Sequence, residues 1–149
     1  DARMADWVQA LVTAGIPVVA HVGFTPQAEH ALGGFRVQGR HGTADRVVED
    51  ARALAAAGAF CILMEMVTAE TAERVNQAVG AVPTIGIGAG NTADGQVLVW
   101  QDMVELPAGG FAPKFVRRFG AVGAALTDAA RNYRNAVASG EFPGEEHAY

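Results

Sequence analysis

Phe60-Cys61-Ile62-Leu63-Met64-Glu65-Met66-Val67 is an apolar run interrupted by a single carboxylate. Side chains alternate between faces along a strand, so Cys61, Leu63 and Glu65 share one face and Ile62, Met64 and Met66 the other. A run that is apolar on both faces is the pattern of a strand inside a parallel sheet, covered above and below. Glu65 breaks that pattern. Ionised and unpaired in such a place, it needs an opposite charge, a raised pKa or a wet pocket. All three suit a general base. A fold-specifying ion pair with an arginine, or bonds from loop amides, satisfies the same need, and on the residues alone the two readings stand level.

The surrounding segments supply what such a strand requires. Met4, Trp7, Val8, Leu11 and Val12 recur at helical spacing over residues 4 to 14, with Gly15 as the stop. Pro17 to Val22 predicts a buried strand with His21 at its C-terminal end and Gly23 closing it. Residues 24 to 41 keep neither period; a loop of that length is expected to line or cover a site, with Phe35-Arg36-Val37-Gln38 as an alternative extended piece. Thr43 or Asp45 caps a second helix with Val47, Val48, Ala51, Leu54 and Ala55 as its stripe, ending near Gly58. After the Glu65 strand, Thr68 caps a third helix with Glu70 and Glu73 in its first turn and Ala72, Val75, Ala78 and Val79 facing inward, closed by Gly80.

Pro83 to Asn91 predicts a strand that runs into a glycine-rich turn. Gln96 to Trp100 is a fourth candidate strand, following too soon for a full helical crossover. Order weakens around Pro107-Ala108-Gly109-Gly110. Lys114 to Phe119 then predicts a short helix, and Val122, Ala125, Leu126, Ala129, Ala130, Tyr133 and Val137 a longer amphipathic one. No linker or repeat marks an internal boundary. Strands alternating with helices imply a parallel sheet, either a small open α/β domain or half of an eight-stranded α/β barrel. Both architectures gather ligands at the C-terminal ends of the strands, where His21, Glu65 and the Gly86 to Asn91 turn coincide.

Composition removes several functions. A net charge of -5, with eleven Lys and Arg spread without a stripe, argues against nucleic acid. No apolar stretch approaches the roughly 20 residues of a membrane span, and nothing at the N-terminus reads as a signal peptide. The single cysteine, Cys61, allows no intrachain disulfide and suits a reducing cytoplasm; inside an apolar run it reads as a small buried hydrophobe. His21, His30, His41 and His147 lack zinc-ligand spacing, and the lone Ser139 gives no triad. The glycines from Gly86 to Gly90 lack dinucleotide spacing and the P-loop lysine, so sharp turning is their expected role. Arg36, Arg40, Arg46 and Asp45 read as ordinary surface charges.

Several longer motifs occur in a fixed order: His21-Val-Gly-Phe-Thr-Pro-Gln27, Gly33-Gly-Phe-Arg-Val-Gln-Gly-Arg40, Met64-Glu65-Met66-Val67, Gly86-Ile-Gly-Ala-Gly-Asn91 with Asp94-Gly95-Gln96, and the tail Phe142-Pro-Gly-Glu-Glu-His147. Together they resemble the ketopantoate hydroxymethyltransferase family, with Phe24 and Ala28 standing where leucine and serine are common. The resemblance implies a (β/α)8 TIM barrel of which this chain is the second half, strands five to eight plus C-terminal helices, forming one domain. It implies Glu65 as the catalytic proton acceptor and His21 in the substrate pocket. The family's metal-binding acidic residues and its substrate-binding serine and lysine have no matching positions here.

The implied reaction moves a one-carbon unit from 5,10-methylenetetrahydrofolate to a small 2-oxo acid, 3-methyl-2-oxobutanoate, giving 2-dehydropantoate for pantothenate synthesis. Mg²⁺ is the implied metal, folate the co-substrate, and a homo-oligomer, a decamer in the family, the implied assembly. Removing a proton next to a ketone needs a base over the C–H and an electrophile on the carbonyl oxygen. Glu65 supplies only the first, so the 149 residues alone are expected to be inactive. A related magnesium-dependent lyase or mutase of 2-oxo acids, and a non-catalytic half-barrel fragment, are the alternatives. The open strand edges of a half barrel would pair or aggregate.

Overall fold

Four strands, β1 (Val19–Gly23), β2 (Cys61–Glu65), β3 (Thr84–Ile87) and β4 (Gly95–Gln96), lie side by side and parallel in their order along the chain. This is a computed structural model describing residues 1–40, 42–106 and 111–149. His41 and the weak region at 107–110 lie outside the described residues. Contacts divide the chain into two compact units, Asp1–Val97 and Leu98–Tyr149, and each is described by itself.

The first unit holds the whole sheet. Around it run α1 (Ala5–Thr13), the short α2 (Glu29–Leu32), α3 (Ala44–Ala56) and α4 (Ala69–Val79). Ala20, Val22, Ile62 and Met64 form one core with Val47, Val48, Ala51 and Leu54 of α3 and Ala72 and Val75 of α4. These strand residues all have even numbers, so the two helices cover that face, as the alternation requires. The opposite face carries Val19, His21, Leu63, Glu65 and Ile85. It is only partly covered: Val19 is 47% exposed, while Cys61 and Ile87 are buried. A parallel sheet in sequence order, with helices on one face, fits a fragment of a TIM barrel.

Local chemistry explains most element ends. The Thr68 hydroxyl accepts a bond from the Thr71 N–H at 3.2 Å and caps α4, as its sequence predicts. Glu70 lies in the first turn of α4, but Glu73 falls one turn later, because Ala69 is the first helical residue. In α1 only Val8 is buried; Trp7 is 68% exposed, so the predicted stripe is mostly uncovered. The loop from residue 24 is less irregular than expected. Pro26 opens a single 3₁₀ turn, α2 follows, and Gly33 ends it in the left-handed conformation.

The fourth strand is shorter than predicted and starts one residue earlier. Gly95–Gln96 alone pair with Ile85 and Gly86, reached without a helical crossover. Gly88 and Gly90, with φ of 62° and 77°, turn the chain sharply. The Asp94 carboxylate then accepts bonds from the Thr84 N–H at 2.8 Å and the Thr84 hydroxyl at 3.1 Å, tying the link to the start of β3.

In the second unit, residues 100–103, whose first residue falls in the predicted strand, form α5 (Trp100–Met103), and α6 (Val122–Ser139) ends at left-handed Gly140. The predicted helix at 114–119 is absent: one turn closes from the Val116 N–H to the Pro113 carbonyl. Tertiary bonds compete with helix formation there, the Phe119 N–H donating to the Met103 carbonyl at 2.7 Å and Arg118 pairing with Glu105 at 2.7 Å. A Cβ at Gly123 would stand 2.3 Å from the Leu106 carbonyl oxygen, so α6 begins where only glycine fits.

Ile62, fully buried between β1, β3 and the helices, is the most sensitive test of this packing. Ile62→Ala should cost about 2 to 5 kcal/mol, against about 1 kcal/mol for loss of the Thr68 cap in Thr68→Ala. Urea unfolding of both variants measures the difference.

Candidate functional site

β1 and β2 pair so that Gly23 stands opposite Glu65 and His21 opposite Leu63, while Glu65 faces Ile87 across β2 and β3. His21 and Glu65 are both odd-numbered and so emerge on the half-covered face. The sheet brings together these two predicted site residues: His21 Nε2 lies 3.2 Å from Glu65 Oε2.

The Glu65 main chain is held from both sides. Its carbonyl accepts the Phe24 N–H at 2.8 Å, and the next N–H, that of Met66, donates to the Ile87 carbonyl at 2.9 Å. A Cβ at Gly23 would lie 2.4 Å from the Glu65 carbonyl oxygen and 2.6 Å from Val67 Cγ1, and Gly23 has φ of 88°. Glycine is therefore required there on two counts. Met66 itself has φ of 49°, a left-handed conformation that is costly for a bulky residue. β2 thus ends at Glu65 rather than continuing through Met66 and Val67.

The long loop returns to this point. The Gln38 N–H donates to the Met66 carbonyl at 2.7 Å, and the Gln38 carbonyl accepts the Thr68 N–H at 3.2 Å, which makes a parallel bridge with Val67. At Gly39 a Cβ would stand 2.3 Å from the Thr71 hydroxyl oxygen, so the loop can approach α4 only through glycine. Sequence reasoning expected the loop to border a site but missed Gln38, Gly39 and Met66 as its anchors. The glycine at 39 was the one visible signal.

Burial pushes the Glu65 carboxyl above its ordinary range. It also pushes the His21 imidazole below its usual value, assisted by the positive chain amino terminus and opposed by a hydrogen bond to the Phe24 backbone. Both shifts favour the uncharged form, so the pair is a close polar contact rather than a firm ion pair. His21 Nε2 is buried and, despite its distance from Glu65, lacks a partner with hydrogen-bond geometry among the described residues. The Cys61 thiol is buried and raised in pKa, first by burial and then by Asp94, which fits an inert core group.

Two cavities adjoin the loop. One of about 130 Å³ includes His21, Gly23, Thr25, Gln38 and Arg46, but Glu65 does not line it. Glu65 therefore lies beside that cavity, while His21 borders it. A second, of about 470 Å³, includes Phe35, Arg36 and Arg40. Among the described residues no three His, Cys, Asp or Glu side chains gather in a way that could hold a metal. No helix among them is long and apolar enough to cross a membrane. Of the predicted glycine-rich turn, Gly86 lies within β3, and the chain turns toward β4 from Gly88 on; Asn91 is exposed.

The family model for ketopantoate hydroxymethyltransferase matches residues 1–145. A protein named 3-methyl-2-oxobutanoate hydroxymethyltransferase from Arthrobacter sp. (strain FB24) is 59% identical over 145 residues, covering 97% of this chain and 48% of its own. One of the same name from Paenarthrobacter aurescens (strain TC1) is 59% identical over 148 residues, covering 99% and 48%. A third, from Mycolicibacterium vanbaalenii, is 54% identical over 147 residues, covering 99% and 52%. The chain spans about half the length of the curated relatives it matches.

The two shifted groups leave opposite marks on stability. Folded Glu65 holds its proton more tightly than the unfolded chain does, so its contribution is complete below the ordinary pKa of 4.5 and is lost as pH rises through the folded value. Folded His21 holds its proton less tightly, so its contribution is present above 6.5 and lost as pH falls through the folded value. Unfolding free energies measured from pH 4 to 8 should therefore show Glu65→Gln gaining on the unsubstituted chain toward the upper end. His21→Gln should gain on it toward the lower end.

Proposed function

Starting from a chain that belongs to the ketopantoate hydroxymethyltransferase family, we propose that it forms the Glu65-bearing part of a hydroxymethyltransferase acting on 3-methyl-2-oxobutanoate. The observation that carries the reading is the meeting of Glu65 and His21, 3.2 Å apart, at the C-terminal ends of adjacent parallel strands. That is the edge at which α/β barrels do their chemistry.

In this reading Glu65 accepts the proton from C3 of the 2-oxo acid. A carboxylate raised in pKa by burial is a stronger base than one in water, and nearer to the pH at which it must act. His21 binds the substrate: its buried Nε2, without a satisfied hydrogen bond, is available to a substrate oxygen. The resulting C3 nucleophile attacks the one-carbon unit of 5,10-methylenetetrahydrofolate, and 2-dehydropantoate is the product. Mg²⁺ belongs to the same reading, but the described residues offer it no ligand set, and no step is derived through it. The metal ligands and the electrophile on the substrate carbonyl are assigned to polypeptide beyond these residues. The reading places the chain in a single barrel domain, in a cytoplasmic homo-oligomer.

The half-covered odd-numbered face supports this division of labour. Val19, Leu63 and Ile85 accompany Glu65 there, as interior residues of a barrel would before the remaining strands are added.

Two measurements test the reading. The 149 residues alone should show no turnover above background, and turnover by them would refute the division. In the complete polypeptide, Glu65→Gln should slow C3 proton exchange of 3-methyl-2-oxobutanoate by about 10² to 10⁴, the usual worth of a positioned base. Exchange at the original rate would leave Glu65 a structural role only.

A further inference from the structure

Among the described residues only two besides glycine have a positive φ, Glu105 at 52° and Met66 at 49°. Met66 directly follows the carboxylate that ends β2. A left-handed backbone costs a methionine free energy that glycine would not lose, so the surroundings must impose it. Two separate segments do so. The Met66 N–H donates to the Ile87 carbonyl of β3 at 2.9 Å, while the Met66 carbonyl accepts the Gln38 N–H at 2.7 Å and the Thr68 N–H donates to the Gln38 carbonyl at 3.2 Å.

The consequence is a slip in the alternation of β2. Ile62 and Met64 enter the helix-covered core, and Leu63 and Glu65 take the other face. Continued extension would return Met66 to the core and set Val67 on the Glu65 face, roughly 6.6 Å farther along. The reverse is observed. Val67 is 3% exposed and belongs to the same core as Ile62 and Met64, while Met66 is only half-buried. One left-handed residue thus shifts the pattern by a single position, and Glu65 becomes the last side chain of β2 on the half-covered face. Ligands reach a parallel sheet from the C-terminal ends of its strands, the side from which Val67 would have covered the carboxyl.

We propose that Met66 is a positioning residue: its left-handed backbone carries Val67 off the half-covered face and keeps the approach to the Glu65 carboxyl open. The inference rests on the reading of Glu65 as the base. What matters in it is the backbone conformation at residue 66, not the methionine side chain.

The test measures C3 proton exchange of 3-methyl-2-oxobutanoate by the complete polypeptide, with urea unfolding in parallel. Met66→Gly keeps the left-handed backbone and should hold exchange within about threefold of the original rate. Met66→Val cannot keep it, because a β-branched residue is a steric outlier there. Its exchange should fall on the order of tenfold or more, and the rising limb of its pH profile should move upward, since a more covered carboxyl keeps its proton to higher pH. Adding Val67→Ala should restore exchange severalfold and return the pH profile, although the double variant loses a further buried side chain and unfolds at lower urea. A role in stability alone predicts the opposite order, with exchange in the double variant below that of Met66→Val. That order, unchanged exchange in Met66→Val, or a loss of about tenfold or more in a folded Met66→Gly would overturn the proposal. Where Met66→Val fails to fold, Met66→Gly decides by itself. The two readings fail separately: the original exchange rate in Glu65→Gln refutes the base, whereas exchange lost in Glu65→Gln but unmoved in Met66→Val refutes the positioning.

Discussion

The approach of Gly23 to the Glu65 carbonyl is the constraint on which the site depends. The Phe24 N–H to Glu65 carbonyl bond and the missing Cβ at Gly23 let β1 and β2 run together to their last residues. His21 and Glu65 therefore leave the sheet on the same face, two residues apart in register. A side chain at residue 23 would have to push aside a backbone carbonyl and Val67 together. Main-chain atoms cannot rotate away as a flexible side chain can, so the displacement would fall on Glu65 itself. Position 23 thus decides where the Glu65 carboxyl points.

The same end of β2 stores a local cost. Met66 adopts a left-handed backbone that glycine would take freely, yet its N–H and carbonyl are both bonded, to Ile87 and Gln38. Such strain persists only where the surroundings over-determine it. Here the surroundings are β3 on one side and the returning loop on the other. The loop is thereby part of the strand end rather than a cover laid over it, which accounts for a long excursion that ends by pairing with residue 67.

The sheet and its helices were legible because burial leaves periodic marks. Val47, Val48, Ala51 and Leu54 are spaced for one helical face, and Ile62 and Met64 find that face in the structure. Glu65 and His21 were legible as polar groups in apolar strands. What escaped was set by tertiary bonds that leave no period. The 114–119 segment has helical spacing, yet Arg118 and the Phe119 N–H bond residues 105 and 103 instead. β4 stops at two residues because Asp94 fixes where the chain re-enters the sheet and α5 begins soon after.

Burial of the His21 and Glu65 pair has one physical origin and two consequences. Withdrawing water raises the affinity of Glu65 for a proton and lowers that of His21, so both groups favour neutrality although 3.2 Å would suit an ion pair. A fully exposed pair would be charged and solvated, and the carboxylate would be a weak base. A fully paired one would have its basicity spent on the imidazolium. Partial burial on a half-covered sheet face lies between these limits. Burial of Glu65 costs stability as pH rises and burial of His21 as pH falls, while Ile62, Met64 and Val75 pack closely on the other side of the same strands.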